Sequence, residues 1–451
     1  MTKTDASQQA RFSIARSLKI GTFHIGSSLT DLLTSAVWNR ILIVDLGAAA
    51  WPVSLLTALR YLLAPLTLWA GHRSDTHPIL GSQRLAYIWL GRLLMLVSLP
   101  FLPLSIVTIA HEMGSPLGWG LGVTSFLLYG VGTLISGAPF LALVHDSAPY
   151  QKRGQAVSIV HFMLVVSFAF IPALYAELMP SYDPALLWRL VWISTGGAAV
   201  FWFFSILGEE RPAGAAPGPA VETPSLRESL RAIWADSRTR RYAVFLGVSA
   251  FFAFMQDAML EPFGGDVFGL PVGATTRFNA YWGVGVLVGM IVTYAISRRR
   301  APDQQVSATA WGLALLAIPL LALAAVSLLE RPALVMPVLI AFGFGFGVFT
   351  VGGVSLLMAM SAEKRAGSYL ALWSMIQLVT RGAGIAMGGV IRDVALALSG
   401  QHTVAYAAIF MIEGVGLLVA IALLWHVDVR GFAAAHSGGG ATVLSPVTGN
   451  S

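Results

Sequence analysis

No cysteine occurs in the 451 residues, which excludes disulfides, iron–sulfur clusters and thiolate chemistry. Charge is scarce too. Asp, Glu, Lys and Arg make up only 11% of the chain, less than half the usual share of about 25% in soluble domains. The HExxH, GxSxG and Cys–His patterns of common hydrolase and zinc sites are missing, so enzymatic chemistry is not expected and no metal is called for. No small-residue cleavage site follows the polar opening Met1 to Arg16, and the first apolar run is expected to remain as an anchor.

What fills the chain is apolar: 56% of the residues are hydrophobic. Runs of about 20 such residues recur, enough to cross a hydrocarbon core. The reading is an all-α polytopic membrane protein surrounded by membrane lipid. Twelve transmembrane helices are predicted, near 18–38, 51–70, 86–109, 118–143, 155–176, 187–207, 242–262, 278–297, 306–328, 333–359, 367–390 and 404–426. A net charge of +6 would suggest nucleic acid for a soluble protein. Here no nucleic-acid partner is expected, because positive-inside bias accounts for the charge. Basic residues gather in the termini and alternate loops, Lys152, Arg153, Arg238, Arg240, Arg241, Arg298, Arg299, Arg300, Lys364 and Arg365 among them. The intervening loops and their edges hold Arg40, Arg189, Arg277, Arg331 and Arg392. That asymmetry places both termini in the cytoplasm.

The organisation reads as two halves. Residues 1–207 form an N-terminal six-helix bundle, 208–241 a cytoplasmic linker, 242–429 a C-terminal six-helix bundle and 430–451 a disordered tail. Ala213 to Pro224 is rich in Ala, Gly and Pro, and Ser225 to Arg241 reads either as a surface amphipathic helix or as a solvated connector. Two features suggest a duplication. Ser147 to Gly154 is echoed by Ser361 to Gly367, and Asp31 in the first span has a counterpart in Asp257 of the seventh.

Ionisable groups within spans are costly and commonly face a bundle interior or a wet cavity. Asp31, Arg60, Asp257 and Glu261 are candidates for the lining of a central cavity. The competing reading makes them interhelical ion pairs that fix packing. Asp257 and Glu261 stand four residues apart, one helical turn, and so are expected on one face; Glu261-Pro262 looks like a helix end. Arg40, Asp45, Arg381 and Glu413 are the other charges near or within spans. His24 and His161 are embedded imidazoles able to ligate a metal, including the magnesium of a chlorin ring. Hydrogen-bonded core histidines are the plainer alternative. Gly343, Gly345, Gly347, Gly352 and Gly353 are expected to let helices approach closely, and Trp51, Trp69, Trp89 and Trp188 to form an interfacial belt.

A polar segment, Gly71-His72-Arg73-Ser74-Asp75-Thr76-His77-Pro78-Ile79-Leu80-Gly81 followed by Arg84, separates the second and third spans. Its Gly71, Arg73, Asp75 and Arg84 resemble the loop between spans 2 and 3 of the major facilitator superfamily. This version is enlarged by two His and a Pro. The resemblance implies the major facilitator fold of two six-helix pseudo-repeats, in which such a loop latches the spans against the other half.

Four stretches narrow it. They are Trp38-Asn39-Arg40-Ile41-Leu42-Ile43 with Asp45-Leu46-Gly47; Gly71 to Gly81 with Tyr87-Ile88-Trp89; Asp257 to Gly265; and Gly352-Gly353 followed by Arg365 to Gly367. Together they resemble the PucC family, a facilitator branch of phototrophic bacteria. The resemblance implies an assembly factor for light-harvesting complexes in the bacterial inner (photosynthetic) membrane. Its implied cofactor is bacteriochlorophyll, and its implied partners are antenna polypeptides or bacteriochlorophyll synthesis enzymes. The alternative is a secondary transporter of a small solute or tetrapyrrole.

Overall fold

The computed structural model describes residues 12–67, 69, 73, 77, 79, 84–149, 152–209, 237–297, 306–360 and 366–427. Gly71, Asp75, most of the expected linker, the Ser361-to-Arg365 echo and the expected tail lie outside the described residues.

Nine helical stretches among the described residues are long and apolar enough to cross a membrane. They match the expected spans 3–6 and 8–12. The other three expected spans are helical but short or interrupted, so the described residues establish nine rather than twelve by length and composition. The first is a broken run: α1 (Ile14–Gly21), α2 (Phe23–Leu32) and α3 (Trp38–Arg40), with π-helical turns at Leu33–Val37 and Ile41–Asp45. The second is α4 (Ala50–Leu62). The seventh divides into α10 (Ser237–Ala253) and α11 (Leu260–Phe268).

The remaining helices are α5 (Leu85–Ser98), α6 (Phe101–His111), α7 (Pro116–Asp146), α8 (Arg153–Leu178), α9 (Pro184–Ile206), α12 (Val272–Ser297), α13 (Val306–Leu328), α14 (Val335–Ala359), α15 (Ala366–Ser399) and α16 (His402–Leu424). Local chemistry sets many boundaries. Asp183 caps α9 by accepting from the N–H groups of Ala185 (2.8 Å) and Leu186 (3.0 Å), with Pro184 at the first helical position. Gly269 and Gly400, both at φ 65°, end α11 and α15 in the left-handed conformation. Pro100 marks the joint between α5 and α6.

Backbone-to-backbone packing holds the C-terminal stretch together. A Cβ on Gly343 would lie 2.1 Å from the Trp282 carbonyl oxygen, one on Gly345 2.2 Å from that of Leu315, and one on Gly352 2.7 Å from the Thr309 nitrogen. These glycines therefore do bring α14 against α12 and α13. Gly353 does not, because nothing stands within 4 Å of it. Gly91 and Gly132 bring α5 against α7 in the same way.

The residues before 210 and those after 236 meet along two seams. In one, α4 lies on α15, where Gly382 fits against Tyr61 and Gly389 against Ala50 and Ser54. In the other, α8 lies on α12, where Gly283 fits against Phe168 and Ala169. The bundle has a proximal end, near residues 12 and 427, and a distal end opposite it. Hydrogen bonds between the two stretches gather distally. Asn39 Nδ2 donates to the Ala258 carbonyl (2.7 Å), Arg40 Nη2 to that of Leu270 (2.9 Å), and the Gly273 N–H to that of Pro180 (3.1 Å). Asp393 accepts from the N–H groups of Ala50 (3.1 Å) and Trp51 (2.8 Å), capping α4 from the other stretch.

Candidate functional site

Two ion pairs sit midway along the bundle. Arg60 Nη1 meets Asp31 Oδ1 at 2.6 Å, and Arg381 Nη2 meets Asp257 Oδ2 at 2.6 Å. Their side chains retain between 15% and 28% exposure, so they border open space rather than a sealed core. Tyr61 joins them. The Arg60 guanidinium lies 4.7 Å from its ring centroid and that of Arg381 4.4 Å, while Arg60 Nη2 donates to its hydroxyl at 2.8 Å. Phe254 covers Arg381 at 3.9 Å. The result is a continuous chain, Asp31–Arg60–Tyr61–Arg381–Asp257, that crosses from one stretch to the other.

Local backbone irregularity places both carboxylates. A π-helical turn begins two residues after Asp31, whose carbonyl accepts from the hydroxyls of Thr34 (2.9 Å) and Ser35 (2.8 Å). The Asp31 carboxylate also accepts from the Tyr129 hydroxyl. Asp257 lies in the interruption between α10 and α11, where bonds span three residues, as from the Met259 N–H to the Gln256 carbonyl (2.8 Å). Glu413 bridges that interruption by accepting from the Gln256 N–H at 3.3 Å.

This corrects the expected helical face. Asp257 and Glu261 do not share a turn of one helix, because the helix stops at Ala253 and restarts at Leu260. Glu261-Pro262 is correspondingly a beginning, not an end. Pro262 sits in the first turn of α11, where its missing N–H leaves no bond unmade. Glu261 is buried, at 1% exposure, and takes a hydrogen bond from Asn279. It belongs to the distal seal, apart from the central chain.

His24 packs edge-on to Phe140, with ring centroids 5.5 Å apart. His161 is exposed on α8. The end of α1, just before His24, approaches α8 closely, since a Cβ on Gly21 would stand 2.7 Å from Met163. Of the loop residues, Arg84 pairs with Asp146 at the proximal end of α7, and Arg73 lies over the Trp69 ring at 5.8 Å. Tyr87 donates toward the carbonyls of Arg73 (3.2 Å) and His77 (2.9 Å). So Arg73 and His77 are tied to α5, and Arg84 to α7.

Sequence reasoning passed over Tyr61, Tyr129 and Arg92. Arg92 is 5% exposed and lies over Phe23 (4.2 Å) and Trp202 (4.6 Å). A lone Arg inside the apolar run from Leu85 to Ser98 was a readable signal; the tyrosines carried none. Removing the Tyr61 ring tests its bridging role. Tyr61→Ala should lower stability by about 1–2 kcal/mol through loss of two cation–π contacts. Tyr61→Phe should lose only a hydrogen bond, about 1 kcal/mol. Equal unfolding midpoints for the two variants in detergent would contradict that order.

Distal to this chain, a cavity of about 540 Å³ is lined by Arg40, Asp45, Tyr182, Gly265 and Leu270, among others. No group of three or more His, Asp or Glu residues suited to a metal occurs among the described residues.

The comparisons fit this architecture. A transporter of the POT family, solved with a thioalcohol-conjugated peptide, superposes with a TM-score of 0.64 at 11% identity, over 93% of this chain and 96% of the other. That likeness carries the fold alone: a helical membrane protein of major-facilitator type. Protein PucC of Rhodovulum sulfidophilum is 29% identical over 84% of this chain and 85% of its own length. A protein of Rhodobacter capsulatus named bacteriochlorophyll synthase 44.5 kDa chain is 29% identical over 83% and 86%. The PUCC protein family matches residues 37–432, from the broken first helix to beyond α16, and this chain belongs to that family.

Proposed function

We propose that the chain is a non-enzymatic assembly factor of a bacterial photosynthetic inner membrane, with both termini cytoplasmic. In this reading it handles bacteriochlorophyll, antenna polypeptides or both while light-harvesting complexes are inserted. Family membership across residues 37–432 is the observation that carries the reading, and the names of its relatives supply the pigment connection. The seams are consistent with a scaffold whose outer helix faces meet a hydrophobic client. Phe162, Phe170, Trp192, Val200 and Phe203 stand exposed on α8 and α9, surfaces that lipid or another transmembrane helix can cover. His24 and His161 are the proposed magnesium ligands should pigment bind.

One observation favours a second reading. A discontinuous helix beside partly exposed charges is a common setting for solute binding in secondary transporters. A single comparison separates the two. Deleting the gene in its host should lower assembled antenna several-fold, and protein purified in mild detergent should carry antenna subunits or a bacteriochlorophyll absorption band. His24→Phe with His161→Phe should remove the band if the imidazoles hold it. Unchanged antenna levels and colourless, client-free protein, together with porphyrin uptake into liposomes, would replace assembly with transport.

A further inference from the structure

At the proximal end a groove of about 200 Å³ opens between the start of α10 and the end of α16, lined by Arg240, Arg241, Val244, Leu423 and His426. Helical spacing builds its two walls. Arg241, Val244, Val248 and Phe252 recur every three or four residues along α10. Gly416, Val419, Leu423 and His426 do so along and just past α16, so each set shares one face. The walls touch deeper in the bundle, where a Cβ on Gly416 would fall 2.2 Å from the Phe252 ring. They stand apart at Arg241 and His426.

The mouth of the groove is cationic. Arg241 is exposed and, among the described residues, pairs with no carboxylate. The described carboxylates of the proximal end are committed, Glu209 to Arg16 and Lys19 and Asp146 to Arg84. His426 Nδ1 donates to the Ala422 carbonyl at 2.8 Å, since a carbonyl only accepts, and this leaves Nε2 for another partner. Depth is set by the neighbouring residues. The apolar span of α16 ends at Leu424, and Trp425 follows it at 79% exposure. An indole exposed at the end of a span marks the headgroup level. From there Val244 and Val419, both exposed, carry apolar surface toward the middle of the bilayer.

We propose that this groove binds an anionic phospholipid. Arg241, with Arg240 and His426, holds the phosphodiester, and one acyl chain lies along Val244 and Val419. A soluble anion would have no use for the apolar walls, and an uncharged lipid none for the guanidinium groups. The site lies within the stretch after residue 236 and stands whichever client or solute the protein handles.

Native mass spectra of the protein in mild detergent, titrated with dioleoyl phosphatidylglycerol, should show one lipid held several-fold more tightly than dioleoyl phosphatidylcholine. Arg241→Ala should weaken that retention about fivefold, the share of one guanidinium near a membrane surface, and Arg241→Lys should keep most of it. Val244→Trp, which fills the groove without changing charge, should weaken it as well. Arg331→Ala removes an equal charge from an exposed position outside the groove and should leave retention unchanged. Equal retention of the two lipids, as expected if the chain itself fills the groove, would overturn the site. So would equal losses in Arg241→Ala and Arg331→Ala. Displacement of the lipid by excess inorganic phosphate, with full retention in Val244→Trp, would make it a soluble-anion pocket instead.

Discussion

Gly343→Leu is expected to prevent α12 and α14 from packing and to leave little monodisperse protein after detergent extraction. A Cβ at that position would fall 2.1 Å from the Trp282 carbonyl oxygen, and the obstacle is backbone, which cannot rotate aside. The contact is reciprocal. A Cβ on Gly285 would stand 2.2 Å from the Ile340 carbonyl oxygen, one on Gly289 2.2 Å from that of Phe344, and one on Gly347 2.4 Å from that of Val286. Without a hydrophobic driving force between helices in lipid, association depends on such close contact, so separating the backbones weakens the entire seam. Overpacking typically costs about 1–3 kcal/mol, and a backbone obstacle with four reciprocal glycines belongs at or above the upper end. The comparison is Gly353→Ala. Nothing lies within 4 Å of that position, and removing a helical glycine should raise stability by about 0.5–1 kcal/mol. Unfolding midpoints in detergent check both, and equal midpoints for the two variants would refute the packing account.

The second large effect concerns Arg392. Its guanidinium meets Asp266 at 2.6 Å and Asp393 at 3.0 Å, with Arg392 and Asp266 side chains only 6% and 8% exposed. Asp266 also accepts from the Tyr406 hydroxyl at 2.7 Å. Arg392→Leu strands a buried carboxylate and should cost about 3–5 kcal/mol. It also releases Asp393, whose carboxylate caps α4 across the seam. The paired variant Arg392→Leu with Asp266→Leu should recover much of the loss, since replacing both charges by apolar groups is often near neutral. A paired variant as unstable as Arg392→Leu alone would place the effect in the cap rather than in the ion pair.

Much of this was legible from patterning. Nine of the predicted spans follow from runs of apolar residues, because bilayer thickness sets their length directly. The glycines of α14 were readable because small residues in a span have few uses besides close approach. The ionisable residues Asp31, Arg60, Asp257 and Arg381 stand out against their apolar surroundings, and they pair into two ion bridges. Where reading failed, local periodicity was assumed to continue. Spacing predicts Asp257 and Glu261 on one helical face, but the interruption from Phe254 to Met259 separates them. A proline in the run was a signal of irregularity, but its position did not tell whether a helix ended or began there.

By itself, then, the sequence determined the solvent and the class of the fold. A chain this apolar and this poor in charge must satisfy its backbone internally within a bilayer, and helices are the economical answer. It also determined which charges would be expensive and therefore partnered. Only the tertiary structure decided who the partners are. Arg381 over Tyr61, Asp393 on the first turn of α4, and Asn39 on the Ala258 carbonyl join residues hundreds of positions apart. No periodicity within one helix encodes such pairs, because they arise from how separately stable helices pack against one another.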